Sequence, residues 1–230
     1  MTLHVLQRAA LIGPPVVLAT TADSVDDELA RLGASAGVRV QRGPVDDVLA
    51  RFVASLPAHT RYVLRITADC PLLDPALGRA VLEILRATGV DYVSNTIPPT
   101  FPDGLDVEAF TVDALLRAAD EATRASDREH VTPFIKRSDG FRRLELAHDP
   151  NLAEHRWTVD DPSDLAFVRA VHQRLERFPP EERTSMYVVL RIVTEEPALR
   201  DLNRGTERDE GYRISVERER AEGGAADSEA

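Results

Sequence analysis

Lysine, cysteine and glycine-rich loops are what this chain has least of. Its single thiol, Cys70, excludes an internal disulfide. No apolar run reaches the length of a signal-peptide core or a membrane span, which makes the cytoplasm the expected location. Neither GxGxxG nor a Walker-type glycine loop occurs, and Lys136 is the only lysine. Positive charge is outweighed as well: 28 Lys and Arg stand against 39 Asp and Glu, a formal -11. Long-range attraction to nucleic acid or to an anionic membrane surface is therefore not expected.

What is present suffices for a core, since 230 residues with 43% hydrophobic content can bury one. The β-rich runs "PVVLAT" (15–20), "VRVQRG" (38–43), "RYVLRIT" (61–67) and "DYVSNT" (91–96) alternate with amphipathic segments. That alternation predicts an α/β protein with a mostly parallel, doubly wound sheet flanked by helices. Leu3, Leu6 and Ala10 predict a first helix. Leu49, Phe52, Val53 and Leu56 predict another within 46–56, and Val112, Leu115, Leu116 and Ala119 a third. Asp74-Pro75 and Asp161-Pro162 each set a capping carboxylate before a proline suited to the first turn, which predicts helices near 75–88 and 162–176. A domain over 1–212 is expected, followed by a charged, glycine- and alanine-rich tail at 213–230 that is expected to be disordered.

Two phrases share a pattern, "RITADCPLLDP" (65–75) and "RWTVDDPSD" (156–164). If each runs as a strand, Arg65, Thr67 and Asp69 share one face of the first, and Arg156, Thr158 and Asp160 one face of the second. Carboxylates at the carboxyl edge of a parallel sheet can hold a hard divalent cation that bridges phosphates. The same residues also suit turn initiation and helix capping, and spacing leaves both readings open. Cys70 and Trp157 read as buried side chains.

Together "RITADCPLLDP", "DYVSNT", "FPDGLDVEAFT", "REHVTPFI", "RWTVDDPSDLAFVRAVHQRL" and "RDEGY" resemble the cytidylyltransferases of the spore coat polysaccharide biosynthesis protein F type, relatives of the CMP-sialic acid and CMP-Kdo synthetases. The likeness runs in order to Tyr212. It implies a Rossmann-like nucleotide-diphospho-sugar transferase fold and a reaction of CTP with a sugar to give a CMP-sugar and pyrophosphate. It also implies Mg2+, with Asp69 and Asp160 as the metal-binding and catalytic carboxylates. Nucleotide contacts implied are Ala19, Thr20, Arg42, Gly43, Arg65 and Thr67. Asn95, Asp103, Asp106, Glu108, Arg128, Glu129 and His130 are implied on the side of the sugar acceptor. Plainer roles stay open for several of these: an ion pair for Arg42, a turn for Gly43 and for "PDG", a structural hydrogen bond for His130.

Relatives of this type begin with a strand and a basic phosphate-binding loop, whereas "MTLHVLQRA" resembles their first helix. The expectation is a fold without its first strand and that loop, through a start placed too late. Expected partners are CTP, a sugar acceptor and a second copy in a homodimer, with no nucleic acid and no membrane. A catalytically impaired nucleotide- or sugar-binding relative and a sugar-nucleotide-dependent glycosyltransferase are the alternatives.

Overall fold

The structure, a computed structural model, describes residues 1–203, 208 and 210–226. In chain order its elements are α1 (Thr2–Ala10), β1 (Val17–Thr21), α2 (Asp27–Ser35), β2 (Arg39–Gly43), α3 (Val48–Ser55), β3 (Tyr62–Arg65), α4 (Pro75–Thr88), β4 (Tyr92–Ser94), β5 (Glu108–Thr111), α5 (Val112–Glu121), α6 (Ala125–His130), α7 (Pro133–Arg137), β6 (Arg143–Glu145), α8 (Pro162–Leu175), α9 (Met186–Glu195) and α10 (Glu210–Ala226). The described residues gather into two compact units. The first comprises Met1–Val16, Tyr62–Phe110 and the described part of Arg143–Thr206; the second comprises Val17–Arg61, Thr111–Arg142 and the described part of Glu207–Ala230.

In the first unit the strands lie in the order β3-β5-β4-β6. β4 runs antiparallel to β5, with Ser94 opposite Glu108, and parallel to β6. Val93 and Ala109 from the sheet pack with Val81 and Leu85 of α4, Phe167 and Val171 of α8, and Val189 of α9. The Asp-Pro pairs act as their chemistry predicts. Asp74 accepts from the Ala76 amide at 2.7 Å, and Asp161 accepts from the Ser163 and Asp164 amides at 2.9 and 3.2 Å. The second Asp74 oxygen accepts from the Met186 amide at 2.8 Å, so one carboxylate fastens the starts of both α4 and α9.

α1 forms as predicted but turns a different face inward: Val5, Leu6 and Arg8 are buried, whereas Leu3 and Ala10 are exposed. Arg8 donates to the carbonyls of Leu72, Leu73, Arg183 and Thr184 at 2.9 to 3.3 Å. Burial holds its pKa down to about 10 against the opposing pull of the Asp74 charge, which leaves it cationic at neutral pH.

His172 of α8 lies against His4 of α1 with ring centroids 4.4 Å apart, and its Nε2 is buried without a partner among the described residues. Burial, and then the neighbouring His4 and Arg8, push its pKa down to about 4 from 6.5. The unfolded chain takes this proton near pH 6.5 and the folded chain only near 4. Stability present above 6.5 is therefore expected to fall as pH drops through that window, by up to about 3 kcal/mol. Urea unfolding at successive pH values should show this slope, and His172→Leu should flatten it; an equal slope in the variant would refute the assignment.

In the second unit β1 and β2 form a parallel pair with Thr20 opposite Arg42 and Thr21 opposite Gly43. Gly33 of α2 lies so close to β1 that an added Cβ would stand 2.6 Å from Leu18 Cδ2. Leu49 of α3, Leu115 and Ala118 of α5, Val131 just after α6 and Ile135 of α7 are fully buried. Helix α10 covers much of the segment whose composition predicts disorder from 213 on; residues 227–230 lie outside the described residues. Polar contacts, not apolar burial, hold it: Ser126 Oγ donates to Glu219 at 2.9 Å, and His130 Nε2 lies 3.0 Å from Ser215 Oγ. Hydropathy registers none of these bonds. Among the described residues no helix is long and apolar enough to cross a membrane.

Candidate functional site

The strand geometry expected to carry Asp69 does not reach it. β3 ends at Arg65, and residues 67–70 make a turn in which the Cys70 amide bonds to the Thr67 carbonyl at 3.4 Å. The segment 156–160 is not a strand either; it makes one bridge, Asp103 to Arg156, with the Trp157 amide donating to Asp103 O at 2.6 Å. Pro71 lacks the N–H that a continued ladder needs, and the two segments bond to each other instead. Val159 N donates to Asp69 O at 2.9 Å, and Thr158 Oγ1 donates to Asp69 Oδ2 at 3.1 Å. The two similar phrases thus meet at Asp69, partly buried and immediately beyond β3. Gly104, at φ 97, lets the "PDG" loop lie against the same segment, since an added Cβ would stand 2.5 Å from Thr158 N.

Cys70, next to Asp69, is buried, and burial together with the Asp69 charge drives its thiol pKa well up. It is a protonated packing group and not a nucleophile.

Arg156 gathers three carboxylates. Its guanidinium meets Asp103 at 3.1 Å, Asp160 at 2.5 Å and Asp164 through two nitrogens at 2.9 and 2.8 Å. Asp164 is 0% exposed and also accepts from Asn203 Nδ2 at 3.1 Å and the Asp160 amide at 3.0 Å. Asp160 is 56% exposed, so its carboxylate faces water on the side away from Arg156.

Two other predicted residues are drawn into the sheet. Glu108 is buried, accepting from Arg65 Nη1 and from the Tyr92 hydroxyl, both at 2.5 Å. Burial, then the Glu108 charge, raise the Tyr92 pKa well above its ordinary value. Burial alone would lower the Arg65 pKa, but the Glu108 charge and hydrogen bond, with Tyr92 and Asp69, together outweigh it and the net shift is upward. Asn95 is also buried: Nδ2 donates to Leu105 O at 2.9 Å and Oδ1 accepts from the Val107 amide at 2.8 Å, which pins the loop carrying Asp103 and Asp106.

The remaining predicted residues belong to the second unit. Arg42 donates to the carbonyls of Thr21 and Asp23 at 2.8 and 2.7 Å and pairs with Asp27 at 2.6 Å. Thr20 Oγ1 donates to Asp26 at 2.9 Å, as does Thr21 Oγ1. Those hydroxyl bonds, Thr21's first, lower the Asp26 pKa. Ala19 sits one residue earlier on β1, opposite Gln41. Arg128 Nε and Nη2 grip Asp47 at 2.8 and 2.6 Å. His130 lies edge-on to Tyr212 at 5.1 Å and 3.8 Å from Glu129. Sequence periodicity overlooks Arg51 of α3, which is only 9% exposed, more enclosed than its apolar neighbours Phe52 and Val53.

Among the described residues no three His, Cys, Asp or Glu side chains gather as a cation cage. A phosphate-bridging magnesium ion does not need one, because it takes one or two carboxylates and keeps several waters. Asp69 suits that demand: a carboxylate oxygen donor whose Oδ2 has a hydroxyl partner and whose main chain is fixed.

The comparisons with known proteins agree with this architecture. A family described as cytidylyltransferase matches residues 1–191. An uncharacterized protein of Methanocaldococcus jannaschii is 29% identical over 202 residues, 86% of this chain and 80% of that protein. The spore coat polysaccharide biosynthesis protein SpsF of Bacillus subtilis is 27% identical over 180 residues, 76% of this chain and 74% of that protein. A solved cytidylyltransferase from Leptospira borgpetersenii superposes with a TM-score of 0.79 at 23% identity, covering 89% of this chain and 87% of the other. That likeness shows the Rossmann-like α/β fold.

Proposed function

Since the chain belongs to the cytidylyltransferase family, we propose that it activates a sugar with CTP, forming a CMP-sugar and pyrophosphate for surface polysaccharide synthesis. The observation that carries this reading is Asp69, held just beyond β3 by Val159 and Thr158. Magnesium, held by Asp69 with Asp160 as second ligand, would neutralise charge on the nucleotide phosphates. For Asp160 to serve, its carboxylate must exchange Arg156, which retains Asp103 and Asp164. Thr158 keeps Asp69 Oδ2 oriented by its hydroxyl proton.

In the second unit Ala19, Thr20, Arg42 and Gly43, at the carboxyl edge of β1 and β2, are the proposed nucleotide contacts; in the first unit they are Arg65 and Thr67, at the end of β3. For sugar hydroxyls the proposed contacts are Asp103 and Asp106 in the first unit and, in the second, Arg128, Glu129 and His130. In the first unit Asn95 and Glu108 would support the loop that carries Asp103 and Asp106. The cytoplasm, where CTP is made, is the location that suits this activity, and a homodimer is the proposed assembly.

The test is calorimetric titration of CTP with and without magnesium into the protein and its Asp69→Asn variant. Magnesium-dependent binding is expected to weaken at least about tenfold in the variant, with its urea midpoint nearly unchanged. An unchanged magnesium dependence would refute the metal assignment. Tighter binding of an intact CDP-sugar than of CTP would refute nucleotidyl transfer in favour of glycosyl transfer.

A further inference from the structure

The second unit contains a buried cation for which the described residues supply no counter-charge. Arg51, in the middle of α3, is 9% exposed, and its Nε is buried with no hydrogen-bond partner. No carboxylate pairs with it among the described residues. A guanidinium taken out of water without an acceptor is costly, so such groups are ordinarily paired. In a chain of net charge -11 acceptors are plentiful, and other enclosed arginines find them: Arg65 has Glu108, and Arg156 has three aspartates.

The local arrangement explains why Arg51 goes without. Its natural helical partner is Asp47, four residues earlier. That carboxylate is already engaged: Oδ1 caps the helix through the Ala50 amide at 2.8 Å, and Oδ2 receives both Nε and Nη2 of Arg128. The side-chain stem of Arg51 lies instead across Gly43, the last residue of β2, where an added Cβ would stand 2.8 Å from Arg51 Cγ. Glycine at 43 is thus required by the arginine stem and not by a turn. The stem crosses the carboxyl end of a parallel strand pair, the edge at which open α/β sheets receive ligands. A planar guanidinium presents several donors in the geometry that phosphate oxygens match.

We infer that Arg51 is an anion-binding residue of this unit, kept free of protein carboxylates so that it takes a phosphate group of the bound nucleotide. The identity of the anion rests on the cytidylyltransferase reading; the existence of the site rests on the unpartnered guanidinium and Gly43.

Arg51→Met preserves the stem over Gly43 and removes the charge, and Arg51→Lys preserves the charge without the fork. Titrations with CTP, cytidine and inorganic tripolyphosphate, alongside thermal unfolding, separate the outcomes. Expected is a loss of at least about tenfold in affinity for CTP and tripolyphosphate in Arg51→Met, a smaller loss in Arg51→Lys, and cytidine binding that does not change. The melting temperature without ligand should hold or rise in Arg51→Met, because an unpaired buried charge has been removed. Tripolyphosphate should raise the melting temperature of the parent chain and not that of Arg51→Met. If the parent chain binds tripolyphosphate through Arg51 but not CTP, the anion site stands and the proposed function fails. If CTP binds the parent and Arg51→Met equally, the function stands and this inference is overturned. It is overturned also if the parent chain binds neither probe, or if Arg51→Met is destabilised with its affinities intact.

Discussion

Replacing Arg156 with methionine is expected to cost about 3–5 kcal/mol of folding stability at neutral pH, read as a lowered urea midpoint. Methionine keeps much of the volume and removes the charge that three aspartates share. Asp164, wholly enclosed, would retain Asn203 and backbone amides but lose both guanidinium bonds. Asp103 and Asp160 would be left as like charges beside it. Arg156→Lys should fall between, because one ammonium cannot span the positions that a five-donor fork reaches.

The pH dependence is a sharper test of the same cluster. Burial works to raise the Asp164 pKa, yet the Arg156 hydrogen bonds and charge, with the Asp160 amide and Asn203, together outweigh it and hold the pKa below 3.8. Such a group contributes stability that is present above its unfolded pKa and lost as pH falls through the folded one. The variant lacks most of that contribution, so the stability gap between parent and Arg156→Met should narrow below about pH 3.8. A gap under about 1 kcal/mol at neutral pH would place the cluster among solvent-screened surface pairs.

Glu108→Ala is expected to have an effect of similar size, about 3–5 kcal/mol, for a related reason. It leaves the Arg65 guanidinium without its buried carboxylate and takes one partner from the Tyr92 hydroxyl, which keeps Ser94 and Thr96. Glu108→Gln keeps the shape and one acceptor, so a loss of about 1–3 kcal/mol is expected. Because Glu108 sits opposite Ser94 between β4 and β5, the damage should register in unfolding before it registers in catalysis. A Glu108→Gln protein with parental stability and a raised KM for the proposed sugar acceptor would identify direct substrate contact instead.

Local chemistry was legible wherever cause and effect lie within a few residues. Asp74-Pro75 and Asp161-Pro162 mark α4 and α8 nearly to the residue, because a cap acts on amides two or three positions away. The apolar runs locate β1 to β4 for the same reason. Alternation failed at Asp69, since it presumes a strand that in fact stops at Arg65. Periodicity failed at Arg51, since it places an arginine on the outer face of α3, while Gly43 opens room for the stem beneath.

The sequence by itself determined α1, β1 to β4, α3, α4, α5 and α8 in their order, and the family phrases, all of which are written in contiguous residues. The tertiary structure alone decided which charges meet. Asp69 finds Thr158 across 89 positions, and Arg128 takes Asp47 across 81, leaving Arg51 without it. Hydrogen bonds and ion pairs form within about 3 Å in space whatever the separation along the chain. The pairing of Arg156 with three acids, and of Arg51 with none among the described residues, was therefore settled only when the chain had folded.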